Sequence, residues 1–556
     1  MLGRHYFKRM IAALVGLLAC ACADARTLEA GPDSLVAQLA RLRAGDVLLL
    51  EPGVYRTTLT LRRLEGTAEA PITVRGDVAR GRVIFRGSDV LADWRTVEEG
   101  VFAHRMDREP SQLFVDGTPL LQMGGTVFDG YPVNPKSAYK NLHAHEGGIW
   151  PGRREARSRA DLLPESFFYS AQDHLLFVKT ARDLRTVMVE ASQRPHGVFA
   201  ADVRHVVIED LEVQHANTSV TGRGGAFVVW GDFVNIRRVV ASWNDLAGLQ
   251  VGGHHIVLED AVASYNGQLG VTARGSLNRI ARVKAIRNNR RSFNKWWEAG
   301  GFKFIGELNA GLSDSSVLDC QAISNDGDGI WLDWKNKRVE VSRNLSAYNT
   351  GFGIHYEVSS QGLIQDNVVL GNGQRGIYLS SSDQTRVLNN LVLGNALEGI
   401  VSIWDRTRRD EAGVSFAGAG NVMDGNVIAY NNQGAITVPS DSGALSNRNV
   451  FWGDGAESRF SVDFPSPLNQ PSYGLLAWTS RVGLDDQSWW HNRPRSSQWR
   501  GYLAAKSTEL APLRQLVLES RAAPPNEGAI IGKGWLPLSG GASTGGVGPR
   551  HWSDMK

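Results

Sequence analysis

Between about residue 200 and residue 440, short runs of alternating apolar and polar residues recur at a fixed interval. Alternation with period two is the mark of a strand with one buried face. Asparagines stand at 244, 266, 325, 349, 372 and 395, each followed four residues later by glycine, at 248, 270, 329, 353, 376 and 399. The steps are 22 to 24 residues, apart from one gap of 59 between Asn266 and Asn325. That gap is expected to hold a longer coil running from Asn289 to Gly301 through Arg290-Arg-Ser-Phe-Asn-Lys-Trp-Trp-Glu-Ala-Gly300. No helical period separates the strands, which disfavours a leucine-rich horseshoe, and propeller blades would need roughly 40 residues each. One unit therefore matches one turn of a parallel β-helix, an all-β solenoid. Asparagine at a fixed turn position tolerates left-handed geometry and can hydrogen-bond its counterparts above and below, so these asparagines belong to the scaffold.

Aligning the strands after each glycine separates inside from outside. The first position reads Leu249, Val271, Phe302, Ile330, Ile354, Ile377 and Ile400, and the third reads Val251, Ala273, Phe304, Leu332, Tyr356, Leu379 and Ser402. Both rows point inward. The second (Gln250, Thr272, Lys303, Trp331, His355, Tyr378, Val401) and the fourth (Gly252, Arg274, Ile305, Asp333, Glu357, Ser380, Ile403) point outward. This outer face is chemically rich only in its middle.

The flanks read differently. Residues 26–90 predict an N-terminal cap, with Leu35, Leu39 and Leu42 at helical spacing, and then the first coils. Such a cap is needed because an end coil exposes its apolar interior and free strand edges. Residues 91–200 break the repeat and predict an inserted β-rich sub-domain with Asp-Gly hairpin turns. Residues 201–450 are the repeats, 451–535 an aromatic-rich closing segment that includes the last coil, and 536–556 a Gly/Ser-rich disordered tail.

Composition changes the picture in three places. Arg4, Lys8 and Arg9 precede the apolar run Met10–Leu18, and Ala23-Asp-Ala25 offers a small-x-small cleavage site, so residues 1–25 predict a signal peptide and export. A rival reading, lipid attachment at Cys20, is poorly served by Leu18. The formal charge is +3, and cleavage after Ala25 would remove three basic residues and one acid to leave +1, so no basic field favours nucleic acid. No stretch has the length of a membrane span. Cleavage would also leave Cys320 as the sole cysteine, in a strand-like run that predicts a buried free thiol.

The candidate chemistry lies at Asp333 and Glu357. Facing the same way on adjacent strands about 4.8 Å apart, their carboxyl groups should stand roughly 5 Å from each other. Retaining glycosidases need about 5–5.5 Å between their carboxyls, and inverting ones about 6.5–9.5 Å. Trp331, His355, Lys303 and Tyr378 surround the pair as candidate substrate contacts, with Glu298 and Trp297 in turns on the approach side. No cofactor is required. If a metal is bound, Asp326 and Asp328 would hold calcium. Asp405 is expected to pair with Arg406 or Arg408.

The repeat block, with Gly300-Gly-Phe-Lys, Gly329-Ile-Trp-Leu-Asp and Gly353-Ile-His-Tyr-Glu, resembles the exported bacterial right-handed parallel β-helix proteins related to pectate lyases. The segment Ala44-Gly-Asp-Val-Leu-Leu-Leu-Glu-Pro-Gly-Val-Tyr is similar to the start of that superfamily. Within it, an Asp and a Glu one coil apart resemble the β-helix β-xylosidases. That resemblance implies Asp333 as nucleophile, Glu357 as acid/base, and a polysaccharide or oligosaccharide substrate. Two other readings stand beside it. One is a polysaccharide lyase or uronate epimerase, weakened by the absence of an outward arginine beside Lys303. The other is a non-catalytic carbohydrate-binding surface.

Overall fold

The computed structural model describes residues 25–124, 153–154, 156–218, 224–296, 298–305, 311–453, 460–462, 473–521 and 549. The signal segment apart from Ala25, the alternative lipid site Cys20 and the tail at 536–556 apart from residue 549 lie outside the described residues.

Two long sheets run the length of the molecule, with strands paired in parallel from coil to coil. After a register shift between Ala201 and Val203, the central coils stay in register: Ile330 pairs Ile354, which pairs Ile377, which pairs Ile400. The inward rows form one continuous core, in which Ile330, Leu332, Ile354, Tyr356, Ile377 and Leu379 are fully buried. The alternation seen in the sequence is thus the inside–outside alternation of one sheet. Cys320 lies in the same core as a free thiol, and burial pushes it up to about 12.

Asparagine ladders lock the turns. From Asn244 through Asn266, Asn288, Asn325, Asn349, Asn372 and Asn395 to Asn431, each side-chain amide donates to the next carboxamide oxygen at 2.8–3.0 Å. A second column runs from Asn344 through Asn367, Asn390 and Asn426 to Asn449. These buried amides are satisfied at every level, which is the condition for burying them without loss. The expected start of the long coil needs correcting by one residue. Asn288 is the rung, whereas Asn289 turns aside and donates to the Phe293 and Asp326 carbonyls at 2.9 and 2.7 Å.

A short helix, Leu35–Leu39, packs at the N-terminal end. Between Ser88 and Ser192 the chain leaves the solenoid to build sheets of four and six strands over a separate apolar cluster. Arg291, at the start of the long coil, ties this region down: it donates to the Ser111 carbonyl at 2.6 Å and to the side chains of Asp245 and Gln122. At the C-terminal end the closing segment contains three helices, Leu475–Val482, Ser497–Ala504 and Leu510–Arg521, which the sequence reading did not anticipate. Leu513, Leu516 and Val517 of the last helix cover Trp452 and Trp489 on the second sheet. Trp489–Asn492 adds that sheet's final strand.

Candidate active site

Strands Asp328–Asp333 and Ile354–Glu357 are in register, so Asp333 is the direct neighbour of Glu357 and Trp331 that of His355. Tyr378 follows on the next strand. The outward aromatic groups form a stack along the helix axis. The His355 ring lies 5.0 Å from Trp331 at 15° and 4.9 Å from Tyr378 at 28°. Beneath Trp331, the Lys303 ammonium sits 3.4 Å from the ring centroid and 3.1 Å from Asp333 Oδ2. Lys303 is only 1% exposed. It is a buried counter-ion to Asp333, not the substrate contact expected of it, because Trp331 lies over its ammonium.

A cleft of about 310 Å³ opens over this stack, walled by Trp296, Phe352, Tyr378, Glu357 and Arg408. Trp296 is 50% exposed at its mouth and packs edge-on against Phe352 at 6.0 Å. Trp297 lies outside the described residues, and Glu298 is not part of the cleft wall. Asp333 and Lys303 likewise do not line this volume; Asp333 stands beside it, on the neighbouring strand.

Two groups that complete the site were misread or missed from the sequence. Asp328, expected as a calcium ligand, is buried and used elsewhere. Its Oδ1 accepts the Phe352 N–H at 2.8 Å, and its Oδ2 holds His355 Nδ1 at 2.9 Å. Asp326 faces Thr350 instead, accepting its hydroxyl at 2.7 Å. The two carboxylates therefore share no ligand sphere, and no group of three or more His, Cys, Asp or Glu side chains among the described residues is placed to hold a metal.

The second group is Arg408. Its segment, Trp404–Gly420, folds back over the outer face between the strands Glu398–Ile403 and Val422–Asp424. The segment is fastened to the earlier coils by Trp334 Nε1 on Glu411 Oε1 at 3.0 Å and by Lys335 with Asp410 at 3.2 Å. This places Arg408 Nη1 2.5 Å from Glu357 Oε1. The expected pairing of Asp405 with a nearby arginine is not formed, since Asp405 accepts instead from the Thr407 hydroxyl at 2.6 Å and its N–H at 2.9 Å. The outward row beside Lys303 holds Thr272 and Trp331 and no arginine; Arg408 reaches the cleft from a loop instead.

Glu357 is consequently well held. Its Oε2 accepts Trp331 Nε1–H at 3.0 Å, and His355 Nε2 stands 3.5 Å from the same oxygen. Burial opposes its ionisation, but His355, Arg408 and Lys303 outweigh burial and hold its carboxyl below the ordinary value. Burial pushes Asp333 above its ordinary value; Lys303 resists and the Glu357 charge adds to the rise. Of the two, then, Glu357 is the better-stabilised anion. This is opposite to the proton-bearing role that the resemblance implies for it.

A family profile described as the right handed beta helix region matches residues 224–397. The chain is a right-handed parallel β-helix protein. Among solved structures, it is similar to the complex structure of XylC with xylose, at a TM-score of 0.54 and 14% identity over 80% of this chain and 86% of that one. It is also similar to a structure titled glycoside hydrolase, at a TM-score of 0.44 and 10% identity, covering 87% and 94% of the two chains. A pectate lyase, Pel9A, aligns at a TM-score of 0.37 and 14% identity over 76% and 79%. A search of curated protein sequences returns no match. At such identities the likeness establishes the fold and leaves the chemistry to the residues.

Proposed function

We propose that this β-helix is a carbohydrate-active enzyme, a retaining glycoside hydrolase whose paired carboxyl groups are Asp333 and Glu357. The observation that carries this reading is their register: two carboxyls leave adjacent parallel strands side by side, and a strand separation of about 4.8 Å suits covalent double displacement better than direct water attack. Asp333, facing Lys303, attacks the anomeric carbon. Glu357 gives a proton to the leaving oxygen and later takes one from water. The exposed Trp296 supplies an apolar face, and the Trp331–His355–Tyr378 stack supplies ring edges, on which a sugar ring is held. The N-terminal export signal read from the sequence suits a substrate met outside the cytoplasm.

The neighbour XylC was solved with xylose, so β-xylosides belong in the first panel of aryl glycosides. Wild type is expected to hydrolyse at least one member, with retained anomeric configuration in the first-formed product by proton NMR. Asp333→Asn and Glu357→Gln should each lose at least about a thousandfold. Full activity in both variants sinks the proposal.

The cation Arg408 in the cleft favours one second reading, a lyase or epimerase acting on a uronate, in which that guanidinium neutralises the sugar carboxylate. Unsaturated uronate products, abolished by Arg408→Ala, would establish it over hydrolysis.

A further inference from the structure

His355 is held in a way that sheet packing does not require. Its ring is clamped between Trp331 and Tyr378, and Phe352 meets it edge-on at 4.8 Å. The Asp328 carboxylate accepts from Nδ1, so this nitrogen carries the proton and the other nitrogen is the one free to exchange. That other nitrogen, Nε2, is buried and has no hydrogen-bond partner among the described residues, although the whole residue is only 5% exposed. It points at Glu357 Oε2, 3.5 Å away. A neutral imidazole with its proton on Nδ1 would set a lone pair against a carboxylate oxygen. A single proton between Nε2 and Oε2 removes the conflict, whichever of the two atoms owns it. The distance is slightly beyond hydrogen-bond length, as is common for catalytic pairs before substrate closes on them.

We infer that Asp328 and His355 form a proton relay to Glu357, with His355 as its proton store. The inference rests on the glycosidase reading above and accounts for its one difficulty, an acid/base residue that is a well-held anion at rest. In the resting state the proton lies on His355 Nε2, and the imidazolium, Glu357 carboxylate and Asp328 carboxylate coexist. When substrate binds, the proton passes from Nε2 to Glu357 Oε2 and on to the leaving oxygen as the glycosidic C–O bond breaks and its electron pair goes to that oxygen. His355 is left neutral and Glu357 anionic. In the second half-reaction, the proton of the attacking water returns by the same path. Asp328 remains ionised throughout and fixes the tautomer. The other charged groups around this ring are Asp333 and Lys303 on the preceding coils, Arg408 from the covering loop, Arg375 over Tyr378, and Lys295 and Asp405 along the same cleft. Asp333 gives up its charge to the bond it forms with the anomeric carbon as the leaving group departs, and regains it when water breaks that bond.

The relay has a spectroscopic signature independent of turnover. In long-range proton–nitrogen spectra of full-length protein with labelled histidine, the His355 signals are identified by their loss in His355→Gln. Nδ1 should read as protonated and non-titrating, and Nε2 as the titrating nitrogen. Glu357→Gln should move the Nε2 midpoint to lower pH, because an anion beside the imidazolium is lost. Asp328→Asn should transfer the neutral-state proton from Nδ1 to Nε2. A wild-type Nε2–H tautomer that neither variant alters overturns the relay.

Kinetics give a second reading. His355→Gln should slow hydrolysis of a poor leaving group, which needs protonation, about a hundredfold more than that of a dinitrophenyl leaving group, which does not. Equal losses on both would mean that His355 serves only packing. If Asp333→Asn and Glu357→Gln are fully active, the glycosidase reading falls while the spectra still decide whether the relay exists.

Discussion

Arg408 Nη1 lies 2.5 Å from Glu357 Oε1 although 51 residues separate the two in the chain. The contact makes the Trp404–Gly420 segment part of the site rather than a connection between coils. It also sets the charge state of the cleft, because a guanidinium on one oxygen and an indole N–H on the other stabilise the same anion.

Removing that guanidinium should cost stability in a pH-dependent way. The Glu357 carboxyl is held below its ordinary value in the folded protein. Its stabilising contribution is therefore present above the ordinary carboxylate range and lost as the pH falls through the depressed folded value. Arg408→Ala should lower unfolding free energy by about 1–2 kcal/mol at neutral pH. The difference from wild type should close progressively below the ordinary carboxylate range. Urea unfolding at a series of pH values measures it, and a difference that is constant with pH would contradict the assignment.

Lys303 is the buried partner of a buried acid, and taking it away leaves that acid uncompensated. Lys303→Met should destabilise the fold by about 3 kcal/mol in chemical denaturation. It should also raise Asp333 further, since Lys303 is what resists the rise. The acid limb of the kcat/KM profile should accordingly move to higher pH, a shift that a purely structural lysine would not produce.

Trp296 stands half-exposed at the mouth of the cleft. If it is a sugar platform, Trp296→Ala should raise KM about tenfold with kcat nearly kept, the effect of roughly 1.4 kcal/mol of lost stacking. Steady-state kinetics on the best substrate of the panel separates the two constants.

Asn349 illustrates what the ladders are worth. Its amide donates to the Ala322 carbonyl at 2.9 Å and to Asn372 Oδ1 at 3.0 Å, and its oxygen receives Asn325 Nδ2 at 2.8 Å. Asn349→Ala strands buried partners on two coils and should cost about 2–4 kcal/mol in chemical denaturation. An effect below about 0.5 kcal/mol, typical of surface changes, would mean that the ladder is decorative.

Cys320 should ignore thiol reagents in the native state, because burial pushes its thiol up to about 12 and leaves almost no thiolate. Labelling by a disulfide reagent at mildly alkaline pH should proceed only at the rate of unfolding in added denaturant.

What could be read from residues alone follows from how the solenoid works. Its period is written locally, so Ile330, Ile354 and Ile377 identify themselves as core, and Asp333 and Glu357 as neighbours, by counting. Arg408 could not be found this way. It lies outside the repeat, and its position depends on where an inserted segment is fastened by Trp334 and Lys335. Asp328 was visible but misassigned, since an acid one residue before a turn glycine reads as a solvent-facing ligand. Only the neighbouring strands show that it faces His355 and Phe352 instead. Lys303 had the right address and the wrong depth: alternation tells which face a side chain leaves from, not what later covers it.

The asparagine column has a consequence for how such a protein can change over generations. Each rung offers the same donor and the same acceptor at the same place, as Asn349 does to Asn325 on one side and Asn372 on the other. A coil duplicated or deleted whole leaves both neighbours with matching rungs, whereas losing a few residues leaves a mismatch on both sides. The gene can therefore lengthen or shorten the solenoid in steps of a coil, 23 residues from Asn349 to Asn372, while Asp333 and Glu357 stay neighbours. The number of coils and the pairing of Asp333 with Glu357 are heritable independently of one another.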